Sequence, residues 1–230
     1  MNQRLIVVTL SVVALIMVPA VDAYNWDETT NGGGDAGIQT TPQLTAGGSG
    51  LETISGVLDP RMGDHVDCYA IKVLSVSGEA GFYATTDPGI DPDAVGGDLD
   101  TRMWIWEFSG DVISGNDDSP DLPGLYSVVA DPTGPIVYTA APGNPVTTAL
   151  VDGNDYIICL SYYPNDPDDA GGNDLVILSP FVALNGPNPA AGAFSAYEDS
   201  GSDGPYPYTM AFQAAAGTAI PVELMLLTVD

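Results

Sequence analysis

The sequence predicts an all-β fold, an antiparallel β-sandwich with a jelly-roll-like arrangement of strands. The 230 residues include 27 glycines and 19 prolines, about a fifth of the chain against roughly 12 % in an average protein. These residues disrupt long helices and are common in turns. Between the turns, short stretches alternate apolar and polar residues, and no stretch after the N-terminal region has helical periodicity. Hydrophobic residues make up 45 % of the chain, which is enough for a folded core.

The chain is strongly acidic, with 31 Asp and Glu residues against 4 Lys and Arg residues and a formal net charge of -27. Proteins that bind nucleic acids neutralise phosphates with a basic patch, and this composition cannot supply one. The same imbalance disfavours attachment to anionic lipid. The sequence therefore excludes a nucleic-acid partner.

Residues 1–23 have the features of a secretory signal peptide. Arg4 precedes the apolar run Leu5–Val18, Pro19 follows the run, and Val21 and Ala23 are acceptable residues before a cleavage site. We expect a secreted protein, at the cell surface or outside the cell, with no membrane span after cleavage. An uncleaved N-terminal anchor is the alternative, since the run has only marginally the length of a membrane span.

The remainder divides into an acidic, Gly-rich lead-in at 24–49, extended and with turns, and a single sandwich at 50–230. In Cys68–Val76, for example, Tyr69, Ile71 and Val73 share one face. Residues 183–207, rich in Gly, Pro, Asn and Ser, are predicted to be a surface insertion. The predicted strands are Leu51–Leu58, Cys68–Val76, Gly81–Thr86, Met103–Phe108, Val112–Ile113, Leu125–Ala130, Ile136–Ala140, Asp155–Tyr163, Leu175–Val182, Tyr208–Ala214 and Val222–Val229.

The two cysteines, Cys68 and Cys159, each lie on the strand face opposite the apolar residues of their own strand. An exported protein meets an oxidising environment in which such residues can pair. A cross-strand disulfide and two separate thiols are both compatible with the sequence.

The acidic residues gather in the predicted loops between strands. Calcium binds six to eight oxygen ligands, and carboxylates, Asn side chains and backbone carbonyls of flexible loops supply them. No cluster has the spacing of an EF-hand loop. A solvated acidic surface or adaptation to salt is the alternative for any one cluster. The candidate calcium ligands are Asp35, Asp64, Asp67, Asp100, Asn116, Asp117 and Asp118.

Catalysis is not expected. His65 is the one histidine, and the sequence contains no Gly-x-Ser-x-Gly motif that would supply a nucleophile. Cys68 lies three residues beyond His65, so that the two side chains would face opposite sides of a strand. A catalytic pair of carboxylates cannot be singled out in a chain this acidic.

Two motifs carry a resemblance to a known family. The first is Ile54-Ser-Gly-Val-Leu58, followed after a short polar loop by Asp64-His-Val-Asp-Cys-Tyr-Ala-Ile71. The second is Asp100-Thr-Arg-Met-Trp-Ile-Trp-Glu-Phe-Ser-Gly110, followed by Asn116-Asp-Asp118. Together with the Tyr-rich stretch Tyr156–Tyr162, they resemble the bacterial pre-peptidase C-terminal domain over residues 50–165. The acidic, Gly-rich lead-in also resembles that of related secreted bacterial proteins of unknown function.

The resemblance implies a β-sandwich carried on secreted proteins, often beside a peptidase, although no peptidase is attached here. Some members of the family bind collagen or other matrix polymers and hold calcium between an acidic lead-in and two Asp residues three apart. Asp64 and Asp67 match that pair, and the lead-in ligand would be Asp27, Glu28 or Asp35. Cys68 departs from the family pattern, in which the residue after the second Asp is usually aromatic.

Aromatic residues offer a second kind of surface. Tyr206 and Tyr208 flank a proline near the start of a strand, where they could contact a ligand, whereas Trp104 and Trp106 share one strand face and are expected in the core. We expect a secreted, calcium-stabilised, non-catalytic binding or adhesion module for extracellular matrix or a cell-surface polymer. The alternative is a structural subunit of an extracellular layer or filament, which self-associates through its terminal strands.

Overall fold

The fold comes from a computed structural model that describes residues 23–46, 50–74, 81–95, 99–119, 126–132, 143–198, 201 and 203–217. Its secondary structure is nearly all β, as the sequence predicts. The strands are β1 (Tyr24–Asp27), β2 (Gln43–Leu44), β3 (Leu51–Leu58), β4 (Val66–Val73), β5 (Tyr83–Thr85), β6 (Thr101–Trp106), β7 (Val112–Asn116), β8 (Val128–Ala130), β9 (Asp155–Tyr162), β10 (Pro167–Asp169), β11 (Phe194–Tyr197), β12 (Tyr206–Gln213) and β13 (Ala215–Gly217).

Two larger sheets form the sandwich. The first has five strands in the order β1-β3-β12-β5-β8. The second has six strands: five follow the order β13-β4-β9-β6-β7, and β2 also pairs with β4. Strands β2 and β13 pair with different residues of β4, on the edge of β4 that does not pair with β9. The pairings within them are antiparallel except for β1 with β3 and β2 with β4, which are parallel. Both parallel pairs are contributed by the lead-in, which thus joins both sheets.

The main core lies between the two sheets. The first sheet contributes alternate residues such as Ile54 and Met210, and the second contributes Tyr69, Ile105 and Ile158, all fully buried. This inward alternation is the pattern that the sequence predicts for β4.

A second apolar cluster covers the opposite face of the six-stranded sheet. Trp104 and Trp106 are fully buried there, packed with Leu175, Val176 and Leu178. Gly115 on β7 makes room for Trp104, because a Cβ at this glycine would lie 2.4 Å from the indole ring. The sheet is therefore apolar on both faces, and the 165–198 segment is its outer cover.

Several predicted elements differ from the structure. Leu175–Val182 is not a strand. Leu175, Val176 and Leu178 pack onto the outer sheet face, whereas Ile177, Phe181 and Val182 are exposed. Segment 183–207 is only partly a surface insertion, since Ala183 and Leu184 are buried and β11 and the beginning of β12 lie within it. The lead-in contains a five-residue π-helical turn, Glu28–Gly32, where no helix is expected. The predicted strands Ile136–Ala140 and Val222–Val229 and nearly all of the signal peptide lie outside the described residues.

Cys68 and Cys159 form a disulfide that joins β4 to β9. The two residues lie directly opposite each other, and the Cys68 N–H points away from β9 to donate to the Gly37 carbonyl at 3.0 Å. This is the non-hydrogen-bonded kind of antiparallel pair, in which facing side chains are closest. The Cα atoms are 4.1 Å apart.

No helix among the described residues has the length and apolar character needed to cross a lipid bilayer.

The disulfide closes a loop between cysteines 91 residues apart, and such cross-links restrict the unfolded chain. We expect the Cys68→Ala/Cys159→Ala variant to lose about 2–4 kcal/mol of unfolding free energy. Denaturant unfolding of both proteins, with and without reductant, measures this difference. Reductant should lower the wild-type midpoint and leave that of the variant unchanged. Equal midpoints for the two oxidised proteins would contradict the expectation.

Candidate metal centre

Two acidic clusters lie at the same end of the six-stranded sheet. At this end β4 and β6 begin, β7 ends and β9 ends, as the pairs Val66 with Ser161 and Thr101 with Tyr162 show. Loops that precede β4 and β6 and follow β7 are therefore brought together by strand register alone. Tyr162 and Tyr163 lie between the clusters, since their N–H groups donate to the carbonyls of His65 and Asp100, at 3.3 and 2.9 Å.

The first acidic cluster consists of Asp35, Asp64 and Asp67. One carboxylate oxygen from each lies within 4.8 Å of those of the other two. Asp35 is exposed on the lead-in and accepts a hydrogen bond from the Gly37 N–H at 2.8 Å. Asp64 is half-buried in the loop before β4, and its Oδ2 accepts from the Asp59 N–H at 3.1 Å. Of the three lead-in acids that the family resemblance left open, Asp35 is the one that lies beside Asp64 and Asp67.

Asp67 lies inside the sandwich. It is fully buried, and its Oδ2 accepts a hydrogen bond from the Tyr208 hydroxyl at 2.7 Å. Its Oδ1, like the Oδ1 of Asp64, is buried without a hydrogen-bond partner among the described residues. A buried oxygen without a donor or a cation is costly, because it has lost its hydration without replacement. Both unpartnered oxygens belong to the cluster that Asp35 completes.

Glu28 and two tyrosines extend the cluster into the core. Tyr208 lies 2.6 Å from the Tyr69 hydroxyl, which donates to Glu28 Oε2 at 3.0 Å. Glu28 Oε1 accepts from the Val57 N–H at 2.7 Å, which ties the lead-in to β3. Three oxygen–oxygen contacts connect the carboxyl of Glu28 to that of Asp67, but the two phenols supply only two protons. If both phenols donate to carboxylates, the Tyr69–Tyr208 contact has no proton, and a proton retained by either carboxyl group would fill it by reversing one of these hydrogen bonds.

The pKa values of these acids move in the direction that favours a retained proton. Burial raises the pKa of Asp67 well above its ordinary value, and the neighbouring Asp64 and Glu28 carboxylates raise it further. Burial also raises the pKa of Glu28. For Asp64, burial and then the charges of Asp35 and Glu28 raise the pKa to about 7, against the hydrogen bond from Asp59. Without a cation, this site therefore resists full ionisation.

Gly56 on β3 is required by this arrangement. A Cβ at this position would lie 2.4 Å from the Tyr208 hydroxyl oxygen and 2.8 Å from Glu28 Oε2. The glycine leaves the space in which the two hydrogen-bonding groups approach β3. The absence of a side chain at Gly56 therefore allows Tyr208 and Glu28 to approach β3.

The second acidic cluster consists of Asp100, Asp117 and Asp118, whose carboxylate oxygens also come within 4.8 Å of one another. Asp100 precedes β6, and Asp117 and Asp118 follow β7, so the β6–β7 hairpin brings them together. Arg102 is buried beside them and donates to Asp117 Oδ2 at 3.1 Å and to Asp166 Oδ1. Burial, then Asp117 and Asp118, raises the pKa of Asp100 to about 6.

Asn116 lies next to the second cluster, where its side-chain amide makes hydrogen bonds of its own, and its role as a metal ligand stays a prediction. Its amide nitrogen donates to the carbonyls of Asp118, Phe181 and Ala183 at 3.0–3.1 Å. Its Oδ1 accepts from the Val128 N–H at 2.9 Å. The residue therefore holds the loop after β7 in place.

The two tyrosines predicted as a ligand surface have separate environments. Tyr208 is only 2 % exposed and belongs to the hydrogen-bond chain around Asp67, so its prediction as a contact residue is wrong. Tyr206 is half-buried and stacks on Tyr162, with ring centroids 5.1 Å apart. Tyr163 is 44 % exposed, and the Arg102 guanidinium lies 4.4 Å from the centre of its ring. No sequence motif marks Arg102 or Tyr69 as a residue of the site, although Tyr69 shares a strand face with Asp67 by simple alternation.

The fold and the site define an all-β sandwich with an acidic cluster that links its N-terminal segment to its core. Comparison of the chain with protein-family models, curated proteins and solved structures finds no match.

A Tyr208→Phe substitution tests the buried hydrogen-bond chain. It removes one hydroxyl and leaves the buried Asp67 Oδ2 without its donor, so we expect a loss of about 1–3 kcal/mol of unfolding free energy. Tyr206→Phe is the matched control, because that ring is half-exposed, and its change should stay within about 0.5 kcal/mol. Equal losses in the two variants, measured by denaturant unfolding in EDTA, would contradict the role assigned to Tyr208.

The raised pKa of Asp64 predicts how pH affects the metal-free protein. Between the ordinary pKa of 3.8 and about 7, the folded state binds more protons than the unfolded state, so stability falls as pH rises. We expect the melting temperature in EDTA to decrease from pH 5 to pH 8. Asp64→Asn should flatten the decrease, whereas Asp111→Asn, which alters an exposed carboxylate far along the β6–β7 hairpin, should retain it. An identical slope in both variants would refute the assignment to Asp64.

Proposed function

We propose that this protein is a secreted, calcium-stabilised, non-catalytic binding module for extracellular matrix or a cell-surface polymer. The observation that carries the proposal is the first acidic cluster, in which Asp67 is fully buried and its Oδ1 has no hydrogen-bond partner in the described part of the chain. A divalent cation placed among the three carboxylates would supply the missing interaction and offset their repulsion.

The donor set favours calcium over softer metals. Within the described ranges, the cluster brings together carboxylate oxygens and no His or Cys ligand atom. Calcium prefers oxygen ligands in flexible, incomplete shells that water completes, whereas zinc sites use His and Cys. Asp35 is exposed, so water can reach that side of the cluster. Extracellular calcium modules bind with Kd values of roughly 10⁻⁴–10⁻³ M.

Calcium at this site would connect the lead-in to the sandwich. Asp35 belongs to the lead-in, and Asp64 and Asp67 belong to the loop before β4 and to β4 itself. The lead-in already pairs with both sheets through β1 and β2 and buries Glu28. The cation would strengthen a junction that the backbone has formed, and we infer a stabilising role for it.

The polymer-binding part of the proposal is supported by the tyrosines at the same end of the sheet. Tyr163 presents an exposed ring that lies against the buried Arg102, and the neighbouring residue Tyr162 stacks on Tyr206. Rings held in place in this way bind sugar rings or apolar side chains at little entropic cost. The Cys68–Cys159 disulfide agrees with secretion, and it leaves Cys68 without the thiol that Cys–His catalysis would need.

The test of this proposal is thermal unfolding with and without calcium. At a calcium concentration 100-fold above Kd, binding to the folded state adds about 2.7 kcal/mol to the unfolding free energy. We expect the melting temperature of the wild type to be several degrees higher in about 10 mM calcium than in EDTA. Asp35→Asn should remove that part of the rise which the first cluster produces.

Asp111→Asn is the matched control, because Asp35 and Asp111 are both exposed carboxylates and their substitution changes the net charge equally. This control should show the full calcium response. A wild-type melting curve that calcium leaves unchanged would overturn the proposal, as would a full response in Asp35→Asn. Magnesium at the same concentration separates specific binding from charge screening, which should affect the control and Asp35→Asn alike.

A further inference from the structure

The second acidic cluster has a buried oxygen that the protein leaves without a partner. Asp117 is 3 % exposed, and its Oδ1 is buried with no hydrogen bond among the described residues. Its Oδ2 is occupied by Arg102. The same carboxylate thus has one satisfied oxygen and one unsatisfied oxygen, and the cluster of Asp100, Asp117 and Asp118 lies beside it.

Arg102 does not complete this cluster. Its two terminal nitrogens donate to Asp117 Oδ2 and to Asp166 Oδ1. Arg102 is only 5 % exposed, and its guanidinium also lies against the Tyr163 ring. These contacts hold the arginine between two carboxylates, and neither hydrogen bond involves Asp117 Oδ1.

The backbone around the cluster is held by hydrogen bonds on each side. The Asp100 carbonyl accepts from the Tyr163 N–H, and the Asp118 N–H donates to the Phe181 carbonyl at 3.1 Å. The Ser127 hydroxyl donates to the Asp117 carbonyl at 2.5 Å. The three carboxylates are therefore brought together by an ordered hairpin end, and Asp100 and Asp118 remain half-exposed, so that water can reach them.

We propose that Asp100, Asp117 and Asp118 form a second divalent-cation site, independent of the first cluster and selective for calcium. The set consists of carboxylate oxygens with solvent access on one side, which suits calcium and offers zinc no preferred ligand. The cation takes Asp117 Oδ1 as its buried ligand and joins the beginning of β6 to the end of β7. It also lies beside Asp100, whose carbonyl accepts the hydrogen bond from the Tyr163 N–H.

The experiment counts bound ions on the full chain with Tb³⁺, a luminescent ion that takes oxygen ligands as Ca²⁺ does, and then displaces them with Ca²⁺. The proposal expects two Tb³⁺ per wild-type chain. Asp118→Asn should bind one, Asp35→Asn should bind one, and the double variant should bind none. Asp111→Asn is the control at the other end of the same hairpin and should bind two. Near-ultraviolet circular dichroism of each variant confirms that the tryptophan core is intact.

The outcomes separate this site from the first cluster. If Asp118→Asn binds as many ions as the wild type, the second site is overturned. If the wild type binds one ion that only Asp35→Asn removes, the second site is again overturned, and the first stands. If the wild type binds one ion that only Asp118→Asn removes, the second site stands and the first fails. Asp100→Asn repeats the test at a residue to which Arg102 donates no hydrogen bond in the described structure, and it should give the same count as Asp118→Asn.

Discussion

Burial of the Asp67 carboxyl group is the constraint on which the junction between the lead-in and the two sheets depends. A carboxyl group at a fully buried position requires hydrogen bonds, a retained proton or a cation. Tyr208 on β12 supplies one hydrogen bond, and Tyr69 relays the contact to Glu28 on the lead-in. Gly56 on β3 provides the necessary space. Four segments distant in sequence therefore meet at one acidic group. Displacing any one of them would remove part of the contacts that offset the burial of the Asp67 carboxyl group.

The six-stranded sheet imposes a second constraint, because it is apolar on both faces. Its inner face packs against the five-stranded sheet, and its outer face carries Trp104, Trp106 and the disulfide. An exposed patch of this size would favour aggregation, so the chain must supply a cover. Segment 165–198 does so with apolar residues and the small β10–β11 sheet. Asp169 stabilises this cover locally by accepting hydrogen bonds from the backbone of Gly171, Asn173 and Gly192.

Features that depend on local alternation of apolar and polar residues can be predicted from the sequence. Features that depend on how distant segments of the chain meet cannot. Strand β3 has the bounds that its alternation predicts, and Cys68 lies on the predicted face of β4. Leu175–Val182 has the composition of a buried strand, but a covering segment has the same composition. The candidate clusters could be found because their acids flank predicted strands. Which lead-in acid reaches Asp64 depends on a turn and two parallel pairings, and the role of Tyr208 depends on a register that places it opposite Gly56. No local pattern carries that information.

The positions of the acidic clusters also bear on what the sheet end can bind. Both clusters and the exposed Tyr163 lie where β9 ends, in a chain whose net charge is -27. Without cations, the negative potential at this end disfavours anionic polymers and attracts cations. Each bound calcium ion would cancel two of those charges beside the tyrosine rings. Under our proposals, calcium would therefore stabilise the fold and also reduce the repulsion that an acidic polysaccharide meets there. The effect would be greatest at low salt, because ions in solution screen exposed charges beyond about 10 Å at 0.1 M.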